Sequence, residues 1–300
     1  KAFAMKEIVI LSGKGGVGKS TIAASLGAIF SEKYKVVLAD TDVDAPNLAL
    51  FFDAIQKTSR DISTSEKAFI NYEMCIGCLK CVDVCKFSSM VSFDKKPAVI
   101  SYSCEGCGAC TIVCPEDAIE IKTVVNGKIA ISSTNHILMV SGELSIGESS
   151  SGRLVDEVRK TARQEAEKLN ADLILTDGPP GIGCPVISSI KGSSYIIAVT
   201  EPTPAALNGL KRLFKVVGYF RIPLGIIINK SDMYTKSRQE IKAFAKKSKI
   251  TVLSEIPYDL SVPKAISMAM PVVTACPDAQ SSFAIKKLVN KLSGIIKKLS

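Results

Sequence analysis

Gly13-Lys14-Gly15-Gly16-Val17-Gly18-Lys19-Ser20 follows a short apolar strand at residues 7–11 and opens a helix at 19–30. This is the G-x-x-x-x-G-K-[ST] pattern in the setting that gives it meaning, a strand before and a helix after. Its glycines let backbone N–H groups turn inward around phosphate oxygens, and the helix N-terminus adds a favourable dipole. Lys19 is expected to reach the β- and γ-phosphates and the Ser20 hydroxyl to ligate Mg²⁺, with Gly13, Gly15, Gly16, Val17, Gly18 and Thr21 completing the cradle. The surrounding pattern agrees. Apolar runs at 35–40, 173–176, 195–199, 224–228 and 251–256 are separated by helices or turns, one of them a helix at 152–169. Continuous apolar strands alternating with helices predict an α/β fold, a mostly parallel sheet covered by helices on both faces.

The alternation breaks at about Asp61. Two cysteine runs of the same spacing follow, Cys75-x-x-Cys78-x-x-Cys81-x-x-x-Cys85 and Cys104-x-x-Cys107-x-x-Cys110-x-x-x-Cys114. C-x-x-C-x-x-C sets three thiolates around one corner of a cubane, and in two-cluster ferredoxins the fourth cysteine of each run serves the other cluster. Cys75, Cys78, Cys81 and Cys114 are therefore assigned to one 4Fe–4S cluster, and Cys104, Cys107, Cys110 and Cys85 to a second. Tetrahedral zinc sites use paired C-x-x-C knuckles instead. Pro115 follows Cys114 as ferredoxin turns prefer, whereas Lys86 follows Cys85. Val125-Asn126-Gly127-Lys128 reads as a hairpin. The expected division is a nucleotide-binding domain over 5–60 and 126–300, interrupted by a ferredoxin-type α+β insert over 61–125.

Bulk properties bound the partners. The 300 residues are 47% hydrophobic and carry a formal charge of +9. Residues 61–122 hold nine acidic and six basic side chains, a balance of −3 that leaves +12 elsewhere. The excess is lysine scattered over helix faces, an ordinary solvated surface, so neither nucleic acid nor membrane is expected as a partner. No apolar run approaches the ~18 residues of a membrane span. Met5 reads as the natural start and residues 1–4 as a processing remnant. Without an export signal, the ten cysteines point to metal ligation in a reducing cytoplasm rather than to disulfides.

Lys14 adds a second lysine to the loop, and Lys-Gly-Gly-Val-Gly-Lys-Ser resembles the deviant Walker A motif of the MinD/Mrp/ParA group, which includes the nitrogenase iron protein. The resemblance implies that Lys14 crosses a dimer interface to the partner's nucleotide, hence a homodimer on ATP binding or pairing with a paralogous ATPase. Asp40-Thr41-Asp42-Val43-Asp44 lies where switch I lies in that family, with Asp42 the catalytic residue and Asp40 in the metal shell. Asp177-Gly178-Pro179-Pro180-Gly181 resembles Walker B joined to switch II, with Asp177 on a magnesium water and the Gly181 N–H sensing the γ-phosphate. Asn229-Lys230-Ser231-Asp232 resembles a guanine motif, but in MinD/Mrp proteins an asparagine at this strand end holds adenine, and Pro257-Tyr258-Asp259 resembles their adenine loop. ATP is preferred and GTP is the alternative.

The chain as a whole resembles the branch of the MinD/Mrp superfamily that carries an inserted ferredoxin domain. That implies a Mg²⁺-dependent ATPase whose nucleotide state governs electron transfer to a redox partner. The alternative is ATP-dependent assembly or delivery of iron–sulfur or related clusters to an acceptor, and a third reading is a spatial organiser. Cys184 lies seven residues after Asp177, where the nitrogenase iron protein places a bridging ligand; a buried or redox-sensitive thiol is the preferred reading. His136 and Cys276 read as packing residues. The stripe of Phe283, Leu288, Val289, Leu292, Ile295, Ile296 and Leu299 reads as a terminal helix packed on the nucleotide domain, with an amphipathic membrane contact as the alternative.

Overall fold

A computed structural model of the chain describes residues 5–134, 136–148 and 151–299; residues 1–4, including the suggested remnant, lie outside them. β1 (Lys6–Ser12) is buried along its whole length, as a strand covered on both faces must be. Gly18, in the left-handed region at φ 87°, turns the chain into α1 (Lys19–Ser31). Small residues of α1, Ala23, Ala24, Ser25 and Gly27, are buried against the sheet. β2 (Val36–Asp40) follows, then a 3₁₀ turn at Leu48–Phe52 and β3 (Ile55–Ile62).

The chain then leaves the main sheet. β4 (Ser65–Ile70), α2 (Lys80–Val84), β5 (Met90–Phe93), β6 (Lys96–Val99), α3 (Ala109–Ile112) and β7 (Ile119–Val124) form a small separate body. β4 pairs antiparallel with β7 and β5 with β6. Ala68, Met90, Ile119 and the buried cysteines Cys81, Cys104 and Cys110 make its own core.

The chain returns through β8 (Gly127–Ser133) and β9 (Leu138–Leu144) to α4 (Ser151–Leu169) and β10 (Leu173–Pro180). Strands and helices then alternate: α5 (Cys184–Ile190), β11 (Tyr195–Thr200), α6 (Pro204–Phe220), β12 (Leu224–Ile228), α7 (Thr235–Lys247) and β13 (Thr251–Glu255). α8 (Ser261–Ser267), α9 (Val272–Ala275) and α10 (Gln280–Lys298) close the chain. The nine-stranded sheet runs β13-β12-β11-β1-β10-β2-β9-β8-β3. Pairing is parallel from β13 to β9, and β8 and β3 extend it antiparallel. One face is covered by α1 and α10, the other by α4, α5, α6 and α7. This is the α/β architecture expected.

Two expectations are corrected. Asn126-Gly127 is no hairpin: β7 does not pair with β8, and neither residue has the positive φ that a type I′ turn requires. Asn126 is instead a buried tie at the crossing, its N–H on the Ile62 carbonyl (3.0 Å) and its Oδ1 accepting from the Thr64 N–H (2.8 Å). His136 is exposed in the turn before β9 and packs in no core. The α10 stripe packs on α1, α9 and β13, burying Leu288, Val289, Leu292 and Ile296 while Phe283 stays exposed. Among the described residues no helix is long and apolar enough to cross a membrane.

Candidate functional site

The loop between β1 and α1 sits at the carboxyl ends of the parallel strands, where open α/β sheets bind ligands. It lies against α6 so closely that a Cβ on Gly13 would stand 2.1 Å from the Gly209 carbonyl carbon; only glycine fits on either side. In front of the loop is a cavity of about 560 Å³, of the size that holds small ligands. Gly15, Gly16, Gly18, Lys19, Ser20, Thr21, Asp42 and Pro180 line its polar side, and Leu50, Phe51, Ile266 and Ala269 an apolar wall. Val17 is buried beneath the loop.

Strand register assembles the charged centre. Asp177 on β10 pairs with Asp40 on β2 and with Ile10 on β1, so two buried carboxylates end up side by side below the loop. Lys19 donates to Asp177 Oδ1 at 2.7 Å and faces Asp42 Oδ2 at 3.5 Å. Burial alone would lower the Lys19 pKa, but Asp177, Asp42 and Asp40 outweigh it and hold the ammonium above its ordinary value. Burial, and next the Asp177 charge, push Asp40 up to about 7 against the pull of backbone N–H groups and Lys19. Asp42 is raised too, first by burial. Both Asp40 oxygens accept backbone N–H groups, Oδ2 from Asn47 and Leu48 (2.8 Å each) and Oδ1 from Asp42 (3.1 Å). Asp40 thus orders the loop carrying Asp42, while Asp44 is exposed.

Ser20, Asp40 and Asp177 supply the hard oxygens that Mg²⁺ prefers. Asp177 Oδ2 is buried with no hydrogen-bond partner among the described residues, a position suited to a magnesium-bound water. The Gly181 N–H is bonded to the Ser12 carbonyl at 2.8 Å, so in this conformation it is not turned toward the cavity.

Other anticipated residues sit differently. Asn229 donates to the Val17 carbonyl at 2.8 Å, bracing the loop from beneath. Asp259 and Pro257 do not line the cavity. The Asp259 carboxylate accepts from the Ser261 and Ser281 N–H groups (2.8 and 3.0 Å) and fastens the start of α10. Burial would raise its pKa, yet those donors hold it below the ordinary value. Asp232 accepts from the Tyr258 N–H at 2.7 Å and braces the same loop. Lys14 Nζ reaches Glu201 Oε1 of its own chain at 3.2 Å, and Lys230 binds Oε2 at 2.9 Å and the Gly16 carbonyl at 3.2 Å. No role is read from the sequence for Glu201, for Lys230 within the guanine-like motif, or for the wall of Leu50 and Phe51; the apolar run 48–52 after the acidic loop is the one cue to the wall.

The small body holds two cysteine-lined cavities. Cys75, Cys78, Cys81 and Cys114 line one, and Cys85, Cys104, Cys107 and Cys110 line the other. Backbone N–H groups point at three sulfurs: Ser89 at Cys85 (3.3 Å), Ala68 at Cys104 (3.4 Å) and Ala118 at Cys114 (3.3 Å). Burial raises the Cys81 and Cys110 thiols; in Cys85 it is outweighed by the N–H groups of Met90, Ser89 and Phe87, which lower it. Among the described residues no three ligands close on a single ion, yet four surround each void. Thiolates spaced around a void fit a multi-iron cluster better than a tetrahedral zinc ion. Cys184 is exposed at the start of α5.

A family model described as the CobQ/CobB/MinD/ParA nucleotide binding domain matches residues 8–272. A protein of Methanocaldococcus jannaschii, named only as uncharacterized, is 37% identical over 290 residues, 97% of each chain. The iron-sulfur cluster carrier protein of Pyrococcus furiosus is 25% identical over 307 residues, covering 96% of this chain and 87% of its own. Among solved structures, the septum site-determining protein MinD complexed with Mg-ADP from Pyrococcus horikoshii superposes with a TM-score of 0.60 at 18% identity over 99% of both chains. A ParA family ATPase from Chlorobium tepidum gives 0.59 at 16% identity, covering 96% of this chain and 99% of its own.

Proposed function

The chain belongs to the CobQ/CobB/MinD/ParA nucleotide-binding family, and from that premise we propose that it is a Mg²⁺-dependent ATPase whose nucleotide state controls electron transfer through two 4Fe–4S clusters to a partner protein. The observation that carries this reading is the pair of cavities, each lined by four cysteines drawn from both runs, in a body that leaves and re-enters the nucleotide-binding sheet between β3 and β8. Cys75, Cys78, Cys81 and Cys114 would hold one cluster, and Cys85, Cys104, Cys107 and Cys110 the other. Such clusters supply one-electron chemistry when bound.

The chain's own residues supply the switch. Lys19 neutralises Asp177 and Asp42 until a triphosphate competes for its ammonium, and Asp42 is then free to orient the attacking water. The Gly181 N–H must leave Ser12 before it can meet a γ-phosphate, a small two-state element that ATP would bias. Lys14, resting on Glu201 in its own chain, is placed to reach a second protomer when ATP closes a dimer. Use of Asp232 as a loop brace supports adenine over guanine.

The relatives named as iron-sulfur cluster carriers favour a second reading, ATP-driven delivery of a metal cluster to an acceptor. Anaerobic reconstitution separates the two. About eight irons per chain, with EPR signals or potentials that respond to Mg-ATP while the clusters stay bound, support the first reading. ATP-dependent loss of iron to an apo-acceptor supports the second. Zinc without charge-transfer absorption overturns both.

A further inference from the structure

Lys67, in β4, is 2% exposed, a rare position for a lysine. Its Nζ donates to the Cys104 carbonyl at 3.1 Å and faces Glu148 Oε2 at 3.1 Å. That oxygen is buried, meets the ammonium off hydrogen-bond angle, and has no hydrogen-bond partner among the described residues. The next residue, Ala68, turns its N–H onto the Cys104 sulfur. β4 therefore sets an ammonium on the backbone of Cys104 and an amide N–H on its sulfur, both at a ligand of the same cysteine cavity. A buried ion pair contributes little to stability relative to an apolar replacement. A charge in a poorly screened interior does, however, act strongly on any neighbouring group that changes charge.

Glu148 reaches Lys67 from the nucleotide side. It belongs to the turn after β9, where its N–H bonds the Ser145 carbonyl at 3.0 Å. β9 ends on the switch loop itself: the Leu144 N–H bonds the Val43 carbonyl at 2.9 Å, and Val43 adjoins Asp42, the partner of Lys19. A line of ion pairs, backbone hydrogen bonds and chain links thus runs from the phosphate-loop lysine through Asp42, Val43, Leu144 and Ser145 to Glu148, Lys67 and Cys104.

We infer that Lys67 sets the reduction potential of the centre held by Cys85, Cys104, Cys107 and Cys110, and that Glu148 is the movable counter-charge through which nucleotide occupancy reaches it. The inference rests on the reading of that cavity as an iron–sulfur site. Both are positioning residues; neither ligates. The signs are fixed by electrostatics. One-electron reduction adds a negative charge to the centre, so Lys67 favours the reduced form and Glu148 opposes it. A nucleotide that shifts the Asp42–Val43 loop alters the spacing of Glu148 from Lys67 and hence the potential.

The test is an EPR-monitored dithionite titration of the reconstituted full chain with and without Mg-ATP. Lys67→Met should move the reduced-to-oxidised ratio of one centre toward oxidised by roughly tenfold at fixed potential, ~59 mV for a one-electron couple. Glu148→Gln should move it by a similar factor the other way, and the double variant should return near wild type. Lys67→Arg, which keeps the charge, should hold the wild-type value. The Mg-ATP-induced shift of wild type should be lost in Glu148→Gln. Fully loaded clusters whose potentials stay unchanged across the variants overturn this inference and leave the cluster reading intact. Potentials that follow the variants but ignore Mg-ATP overturn the relay through Glu148. A chain that binds no iron overturns the cluster reading and this inference with it.

Discussion

Asp40 keeps its proton to about 7 because burial and the neighbouring Asp177 disfavour its charge. In the unfolded chain an aspartate releases its proton near 4. Between those values the native state binds more protons than the unfolded one, so stability falls as pH rises from about 4 to about 7 and levels off above. Nucleotide-free protein should show that decline in urea midpoints, and Asp40→Asn should flatten it, since asparagine still offers an acceptor to Asn47 and Leu48. A slope unchanged in the variant would assign the effect to another group. The two loop lysines should separate just as clearly. Lys19→Ala removes a buried ammonium and should weaken Mg-ATP binding by roughly 10- to 100-fold. Lys14 is half-exposed and its contact with Glu201 contributes at most about 1 kcal/mol. It can leave that partner readily. Lys14→Ala should therefore bind Mg-ATP within about threefold of wild type while hydrolysis drops by about 10³, as when a charge supplied in trans is withdrawn. Calorimetry and single-turnover hydrolysis read the two quantities independently.

At the scale of elements, α10 belongs to the core. Leu292 is fully buried between α10, α1 and β13. Leu292→Ala should cost about 2–5 kcal/mol by urea denaturation, with no change in liposome binding; a membrane-facing helix would reverse that pattern. The elements divide by how their sequences announce them. β1, β2, β10, β11 and β12 are buried on both faces, so each is built on a continuous apolar run that marks its place, whereas β13, at the edge of the sheet, fully buries Leu253 alone of its five residues. β3 and β8 lie at one side of the sheet, and β3, Ile55–Ile62, is exposed at every position before its last, so Gln-Lys-Thr-Ser-Arg-Asp carries no period-two signal. Asn126-Gly127 misleads for a related reason. The pair is common in tight turns, but here the buried asparagine is recruited by backbone groups of residues 62 and 64, distant in sequence. The same limit applies to the site. Loop glycines, Lys19 and the cysteine spacings are local patterns and can be read off the chain. Glu201 against Lys14, and Glu148 against Lys67, are partners 187 and 81 residues apart, which register and tertiary packing alone bring together.

The whole molecule is one sheet with a second body hung from two neighbouring strands. Ile62, the last residue of β3, is the register partner of Gly127, the first of β8. The chain therefore leaves and re-enters the sheet at adjacent points, the geometry that a short β-turn spans. The small body has its own core of cysteines and aliphatic residues, and Lys67–Glu148 is an ion pair between it and the larger one, with Arg153 of α4 donating to the Thr64 carbonyl at the junction. Replacing residues 63–126 by a two-residue Asn-Gly turn should thus leave β3 and β8 paired as a hairpin, and the main sheet, α1 and the 560 Å³ cavity undisturbed. Glu148 would lose its cation but would then face water, where an unpaired carboxylate costs little. The shortened chain should unfold cooperatively, bind Mg-ATP within about threefold of the full protein and retain no iron after reconstitution, because the eight cysteines of both cavities are gone. Circular dichroism, calorimetry and iron counting measure the three outcomes. Loss of nucleotide binding in a shortened chain that still unfolds cooperatively would mean that the small body holds the switch loop in shape, and that the line from Asp42 to Lys67 carries structure as well as signal.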